Sequence, residues 1–166
     1  MRHIGFDGGS FLCELGPSTD IETFFSCLEL CVVQAYRHTD YTLLTDRLYR
    51  RYLRLEELEV AQKMMSQVQE IFSRIPSHSI EWKNMGWNEK ETWLDINQET
   101  LVDIFYKYFE HFNRCIKSAK IFFDSWKIYQ PVRIVIVDQP WFMVEKNRPL
   151  SEYDSLERKP FWLVNL

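Results

Sequence analysis

Arg2-His3-Ile4-Gly5-Phe6-Asp7-Gly8-Gly9-Ser10-Phe11-Leu12-Cys13-Glu14-Leu15 is the stretch on which the fold turns. Residues 2–6 and 10–15 are short β-prone runs. Between them, Asp7-Gly8-Gly9 supplies the positive φ angles of a tight hairpin turn. Far along the chain, Val132-Arg133-Ile134-Val135-Ile136-Val137 is β-branched and stops at Asp138-Gln139-Pro140, which predicts a strand. Residues 141–144 and 161–164 are two further strand candidates around a polar loop at 145–160. Strands at both ends with helices between predict an α+β fold, a single domain over residues 1–166. The N-terminal hairpin and the C-terminal strands are expected to form one mainly antiparallel sheet. Several helices pack on one face of it, and residues 131–166 read as a C-terminal strand extension.

Between the strands the apolar period changes to that of helices. Gly16-Pro17 ends the hairpin, and Thr19 to Glu22 has capping-box spacing, with Thr19 as N-cap. Ile21, Phe24, Phe25, Leu28, Val32 and Ala35 then predict an amphipathic helix over 20–37. A shorter helix is expected over 42–53 and a longer one over 55–75, striped by Leu58, Ala61, Met65, Val68, Phe72 and Ile75 and stopped by Pro76. Residues 80–82 suggest a brief strand, and 83–97 an irregular loop. Leu101, Phe105, Tyr108, Phe112, Cys115, Ala119, Phe122 and Trp126 form the stripe of a last long helix, closed by Pro131.

Composition narrows the function classes. The 166 residues are 46% hydrophobic and 27% charged, an ordinary globular balance large enough for a core without a metal or disulfide staple. The net charge of −4 argues against a general nucleic-acid binder. It is unevenly spread: residues 1–40 and 81–110 each carry −4, while 41–80 carry +1 and 111–166 carry +3. No apolar run is long enough to span a membrane, so no membrane partner is expected. The opening Met1-Arg2-His3 places charge where a signal peptide needs apolar residues, which predicts a cytoplasmic protein. Cys13, Cys27, Cys31 and Cys115 sit in apolar segments and read as reduced, buried thiols.

Motifs of chemistry are scarce. There is no P-loop, dinucleotide fingerprint, nucleophile elbow or HExxH pair. Gly8-Gly9-Ser10 reads as a turn rather than an anion site, because a strand and not a helix follows it. Cys27/Cys31 and His111/Cys115 are two i,i+4 pairs that could make a zinc site, but core packing is the stronger reading. His3, His38, His78 and His111 are scattered, without a neighbouring nucleophile. Glu56, Glu57 and Glu59 complement a helix start. Arg47, Arg50, Arg51 and Arg54 form the one dense basic cluster; pairing with acids such as Asp46 and Glu57 is favoured over a phosphate-binding face. No catalytic residue, cofactor or metal is therefore expected.

Residues 81–103 are the most suggestive. Glu81, Glu89, Glu91, Asp95, Glu99 and Asp103 are interleaved with Trp82, Trp87 and Trp93. Acids steer a basic partner and tryptophans provide anchors, so Trp87, Glu89, Glu91, Trp93, Asp95, Glu99 and Asp103 are the expected partner-binding residues. The competing reading folds the tryptophans inward and leaves the acids merely solvated.

The N-terminal half carries Gly9-Ser10, Glu14-Leu15-Gly16, Phe24-Phe25-Ser26, Leu48-Tyr49, Leu58 with Ala61, and the stretch from Ile75 to Ile80-Glu81-Trp82. These residues, over 4–82, resemble the bacterial immunity protein family seventy. The resemblance implies a protein that accompanies a polymorphic toxin, such as a contact-dependent growth inhibition effector, and neutralises the cognate toxin's C-terminal domain by binding it. A small enzyme with a site assembled from distant residues, or a protein-binding adaptor unrelated to toxins, are the alternatives.

Overall fold

A computed structural model describes residues 2–138 together with 150, 151, 160 and 162. Among them, four strands form one antiparallel sheet in the order β2-β1-β4-β3. Strand β1 is His3–Gly8, β2 is Phe11–Pro17, β3 is Tyr52–Leu53 and β4 is Val132–Ile136. The hairpin closes with Gly8 opposite Phe11, and Gly9 alone of the two loop residues takes a positive φ, +58°. The turn is therefore Gly9-Ser10 rather than Asp7-Gly8-Gly9. Asp7 belongs to β1 instead, and its carboxylate meets Arg133 of β4 at 3.2 Å, both side chains being nearly out of solvent.

All five residues of β4 are buried, as expected of a strand flanked on both sides. The segment from residue 131 onward thus begins inside the sheet, between β1 and β3. Residues 141–144 lie outside the described residues, as do 161, 163 and 164. Trp162 is buried in a 3-10 turn, and its indole N–H donates to the Tyr49 carbonyl at 3.3 Å.

Among the described residues, four α-helices accompany the sheet: α1 (Ser18–Leu28), α2 (Leu58–Phe72), α3 (Leu101–Ile104) and α4 (Tyr106–Trp126). The expected helix over 20–37 is α1 continued by a π-helical stretch, Glu29–Val33, and Ala35 beyond it is exposed. Its N-cap is Pro17 rather than Thr19, without a side-chain cap; the fixed φ of proline feeds the chain from β2 straight into the helix. The helix expected over 42–53 is π-helical across Leu43–Leu48 and ends early, because Tyr52 and Leu53 pair with Arg133 and Val132. Residues 80–82 are not a strand. Two 3-10 turns, Ser77–Ser79 and Trp82–Met85, flank them, and the backbone bridge falls at Pro76 and Thr100.

Helix α2 buries Leu58, Ala61, Met65, Val68 and Phe72 as its stripe requires, after a 3-10 turn at Leu55–Glu57. The last stripe is broken at Phe105 (φ −102°, ψ 21°) into α3 and α4. Helix α4 stops at Trp126 because Lys127 turns left-handed (φ 55°), before Pro131 is reached. Phe24 is the hub of the core. It stacks on Tyr108 with ring centroids 4.9 Å apart and meets Phe72, Phe105 and Phe109 edge-on. Phe6 of β1 joins this aromatic cluster through Phe112 at 5.8 Å, which seats α4 on the sheet. Gly8 allows the same contact nearer the hairpin tip, where a Cβ would come within 2.8 Å of Cys115.

Candidate partner-binding site

The acidic stretch is a long connection between α2 and α3, tied down at three places. At its start the Trp82 indole donates to the Ser77 carbonyl at 3.1 Å. At its end, Thr100 and Asp103 make a capping box, with the Asp103 carboxylate accepting from the Thr100 amide at 3.2 Å and hydroxyl at 2.9 Å. Backbone bonds from Ser77 to Glu99 and from Leu101 to Ile75 close the two ends on each other.

The third tether is Asp20, a fully buried carboxylate in the first turn of α1. It accepts from the Thr92 hydroxyl and the Trp93 amide, each at 2.7 Å. Burial raises its pKa; the Thr92 and Trp93 hydrogen bonds and the nearby His3 work in the opposite direction. This residue escaped the sequence reading. Only its place in a helix's first turn marked it, and that position is usually a solvated capping site.

Trp93 therefore has a fixed position. Its ring stands edge-on to His3 with centroids 4.9 Å apart and lies over Gly16. It nevertheless remains 51% exposed, as an anchor residue awaiting a partner would be. Glu89 and Glu91 are exposed, and their carboxylates make no hydrogen bond or ion pair among the described residues. Asp95 is exposed but shapes its own turn, accepting from the Asn97 amide and the Gln98 side chain, each at 3.0 Å. Glu99 is exposed, while its carbonyl is used by Ser77.

Trp87 is half-buried, with its indole nitrogen out of solvent and unpartnered among the described residues, so it is a poorer anchor than Trp93. The structure thus divides the expected set. Glu89, Glu91, Trp93 and Glu99 present themselves outward, whereas Asp95 and Asp103 have structural employment. Trp93, Asp95 and Asp103 do share a cavity of about 210 Å³ with Tyr106 and Lys107.

The other motifs resolve into structure. Asp46 meets Arg50 at 4.0 Å and Arg51 at 3.7 Å, and Glu57 meets Arg47 at 3.7 Å while accepting the Arg54 amide at 2.9 Å. The i,i+3 helical relation expected of Arg54 and Glu57 is absent, because Arg54 is extended. Gly8-Gly9-Ser10 packs on α4, where the Ser10 amide donates to the Ser118 hydroxyl at 2.8 Å. Cys13 neighbours Cys115, and Cys27 neighbours Cys31; burial pushes all four thiols up. No group of three or more His, Cys, Asp or Glu among the described residues is placed to hold a metal ion. Among them, too, no helix is long and apolar enough to cross a membrane.

No protein-family model, curated protein or solved structure matches this chain.

Proposed function

We propose that this chain is a cytoplasmic immunity protein that binds a cognate toxin domain, a nuclease, and occludes its substrate surface. One observation carries the reading. A loop with six acids and two bases over residues 81–103 is tethered at both ends and at Asp20, and holds Glu89, Glu91 and Trp93 outward. A tethered loop loses little conformational freedom on binding, so more of its contact energy appears as affinity. A nuclease holds phosphate on a basic face, and an outward acidic loop complements that charge. The resemblance over residues 4–82 supports the same class. No catalytic step is assigned to the chain.

The experiment is co-expression with the toxin encoded beside it, together with binding kinetics. Growth should be restored and a complex recovered. Glu89→Ala and Glu91→Ala should slow association, more so at low salt, because exposed charges are screened beyond about 10 Å at 0.1 M. Trp93→Ala should speed dissociation, at a cost of about 2 kcal/mol. No rescue and no complex, or unchanged kinetics in all three variants, overturns the reading.

A further inference from the structure

The cavity of about 210 Å³ beside the acidic loop is smaller than the roughly 300–1,000 Å³ of small-molecule sites and matches one long side chain. Its floor is buried and its rim is not. Leu15, Ile104 and Tyr108 form the floor, each 8% exposed or less. Trp93 and Tyr106 stand at the rim, 51% and 59% exposed, so the cavity opens to solvent beside two aromatic rings.

Two polar groups in the lining have unused hydrogen-bonding capacity. The Tyr108 hydroxyl is buried without a hydrogen-bond partner among the described residues. A buried polar group left unpaired costs stability, and such groups persist where function uses them. Asp103 makes both of its capping bonds through Oδ2, which leaves Oδ1 without a partner among the described residues. The cap also holds this carboxylate in place before any ligand arrives. Asp95 adds a second acid to the lining and Lys107 a single base, so the lining is net negative. Taken as a sphere, the cavity is about 7 Å across, and a planar cation with hydrogen bonds of about 2.9 Å on either side bridges such a width.

We propose that this cavity receives an arginine side chain of the protein partner. The guanidinium donates to Asp103 Oδ1 and to the Tyr108 hydroxyl oxygen, and it lies against the Trp93 and Tyr106 rings. Arginine suits the cavity better than lysine, because a guanidinium stacks on aromatic faces, offers five donors and is more weakly hydrated than an ammonium. An arginine seated among aromatic rings is also the kind of contact that dominates interface energies. That the occupant belongs to a toxin rests on the function proposed above; the chemistry of the cavity does not.

The probe is Nα-acetyl-L-arginine methylamide, titrated into the full chain and followed by NMR of the tryptophan indole N–H signals, with Trp93 assigned through Trp93→Phe. It should shift the Trp93 signal saturably. The citrulline counterpart has the same shape without the charge and should bind about tenfold or more weakly. The lysine and phenylalanine counterparts should also bind more weakly than the arginine compound. Tyr108→Phe should keep its stability and still weaken the arginine compound about fivefold, a loss that a merely structural tyrosine would not produce. Asp103→Asn keeps a capping oxygen and should weaken it about tenfold or more. Lys107→Gln removes a like charge and should tighten it about twofold. No saturable shift, or a citrulline, lysine or phenylalanine compound that binds as tightly, overturns the proposal. So does unchanged affinity in Tyr108→Phe or in folded Asp103→Asn, or weaker binding in Lys107→Gln. These titrations use the chain alone, so their failure leaves toxin neutralisation to the growth assay, and a failed rescue leaves the result for the cavity standing.

Discussion

Asp20 and Tyr108 are neighbours in the core with opposite hydrogen-bonding histories. Tyr108 is buried, its hydroxyl has no partner among the described residues, and burial together with the Asp20 charge holds it protonated far above neutral pH. An unsatisfied buried hydroxyl carries a desolvation penalty and returns nothing. Tyr108→Phe should therefore leave stability unchanged or raise it by about 1 kcal/mol in urea unfolding; a clear loss would reveal a hidden partner. Asp20 is satisfied by two donors, yet its pKa stands above the unfolded value of about 3.9. A carboxyl raised on folding favours the native state most below its unfolded pKa. That contribution is lost as pH rises through the folded pKa. The unfolding free energy of the parent minus that of Asp20→Asn should thus fall from acid toward neutral pH. Urea titrations at a series of pH values check this, and a rising difference would contradict the raised pKa. Asp20→Asn should also speed hydrogen exchange at the Trp93 amide, whose acceptor is weakened.

At the scale of elements, the acidic loop shows how a segment without regular structure acquires a fixed shape. Its backbone is held by partners from α1, by the Pro76–Thr100 bridge and by its own side-chain turns. Gly16 is the least replaceable point beneath it. Its φ is +118°, and a Cβ there would come within 2.9 Å of the Trp93 ring. Gly16→Ala should cost about 1–3 kcal/mol, the range for strained backbone, and shift Trp93 fluorescence as the ring is displaced. The cap at Thr100 is a milder case. Thr100→Ala should cost about 1 kcal/mol in thermal or urea unfolding, since α3 begins on that capping box. The sequence placed this loop because Pro76 stops the helical period before it and polar residues then interrupt that period until the next apolar stripe begins at Leu101. Which of its acids face outward was not legible, since Asp95 and Asp103 are set apart from Glu89 by the donors that the folded backbone brings within reach of their shorter side chains, the Asn97 amide and Gln98 side chain for one and the Thr100 amide and hydroxyl for the other.

Across the whole molecule, β4 is the element on which the sheet depends. It brings the N-terminal hairpin against Tyr52–Leu53 and buries every one of its side chains. Ile134→Ala, in the middle of that strand and 1% exposed, should destabilise by about 2–5 kcal/mol through lost burial and the cavity left behind. Denaturant melts followed by fluorescence and by far-UV circular dichroism should shift together, because one core joins the sheet to the helices. If only one signal shifts, the sheet and helices are not a single cooperative unit.

What the sequence determined by itself was whatever depends on neighbours within a turn or a pleat. The glycine-led hairpin, the stripe of α2, that of α4 as far as Ala119 and the β-branched run of β4 follow from local period and propensity; Trp126, expected on the α4 stripe, is 65% exposed because the last turns of the helix run past the sheet and core. What only the tertiary structure decided involves partners far apart in the chain. Tyr52 leaves a helical pattern because Arg133 of β4 offers it backbone hydrogen bonds, and the His3 amide finds the Asp138 carboxylate across 135 positions. Asp20 became an anchor because Thr92 and Trp93 fold onto it from 72 and 73 residues away. Two widened helical turns, Glu29–Val33 and Leu43–Leu48, come to border one cavity because Phe25 of α1 meets Tyr49 across it. Local patterning encodes which face of an element is apolar; it does not encode which distant polar group will meet a buried charge there, and that meeting fixed the site.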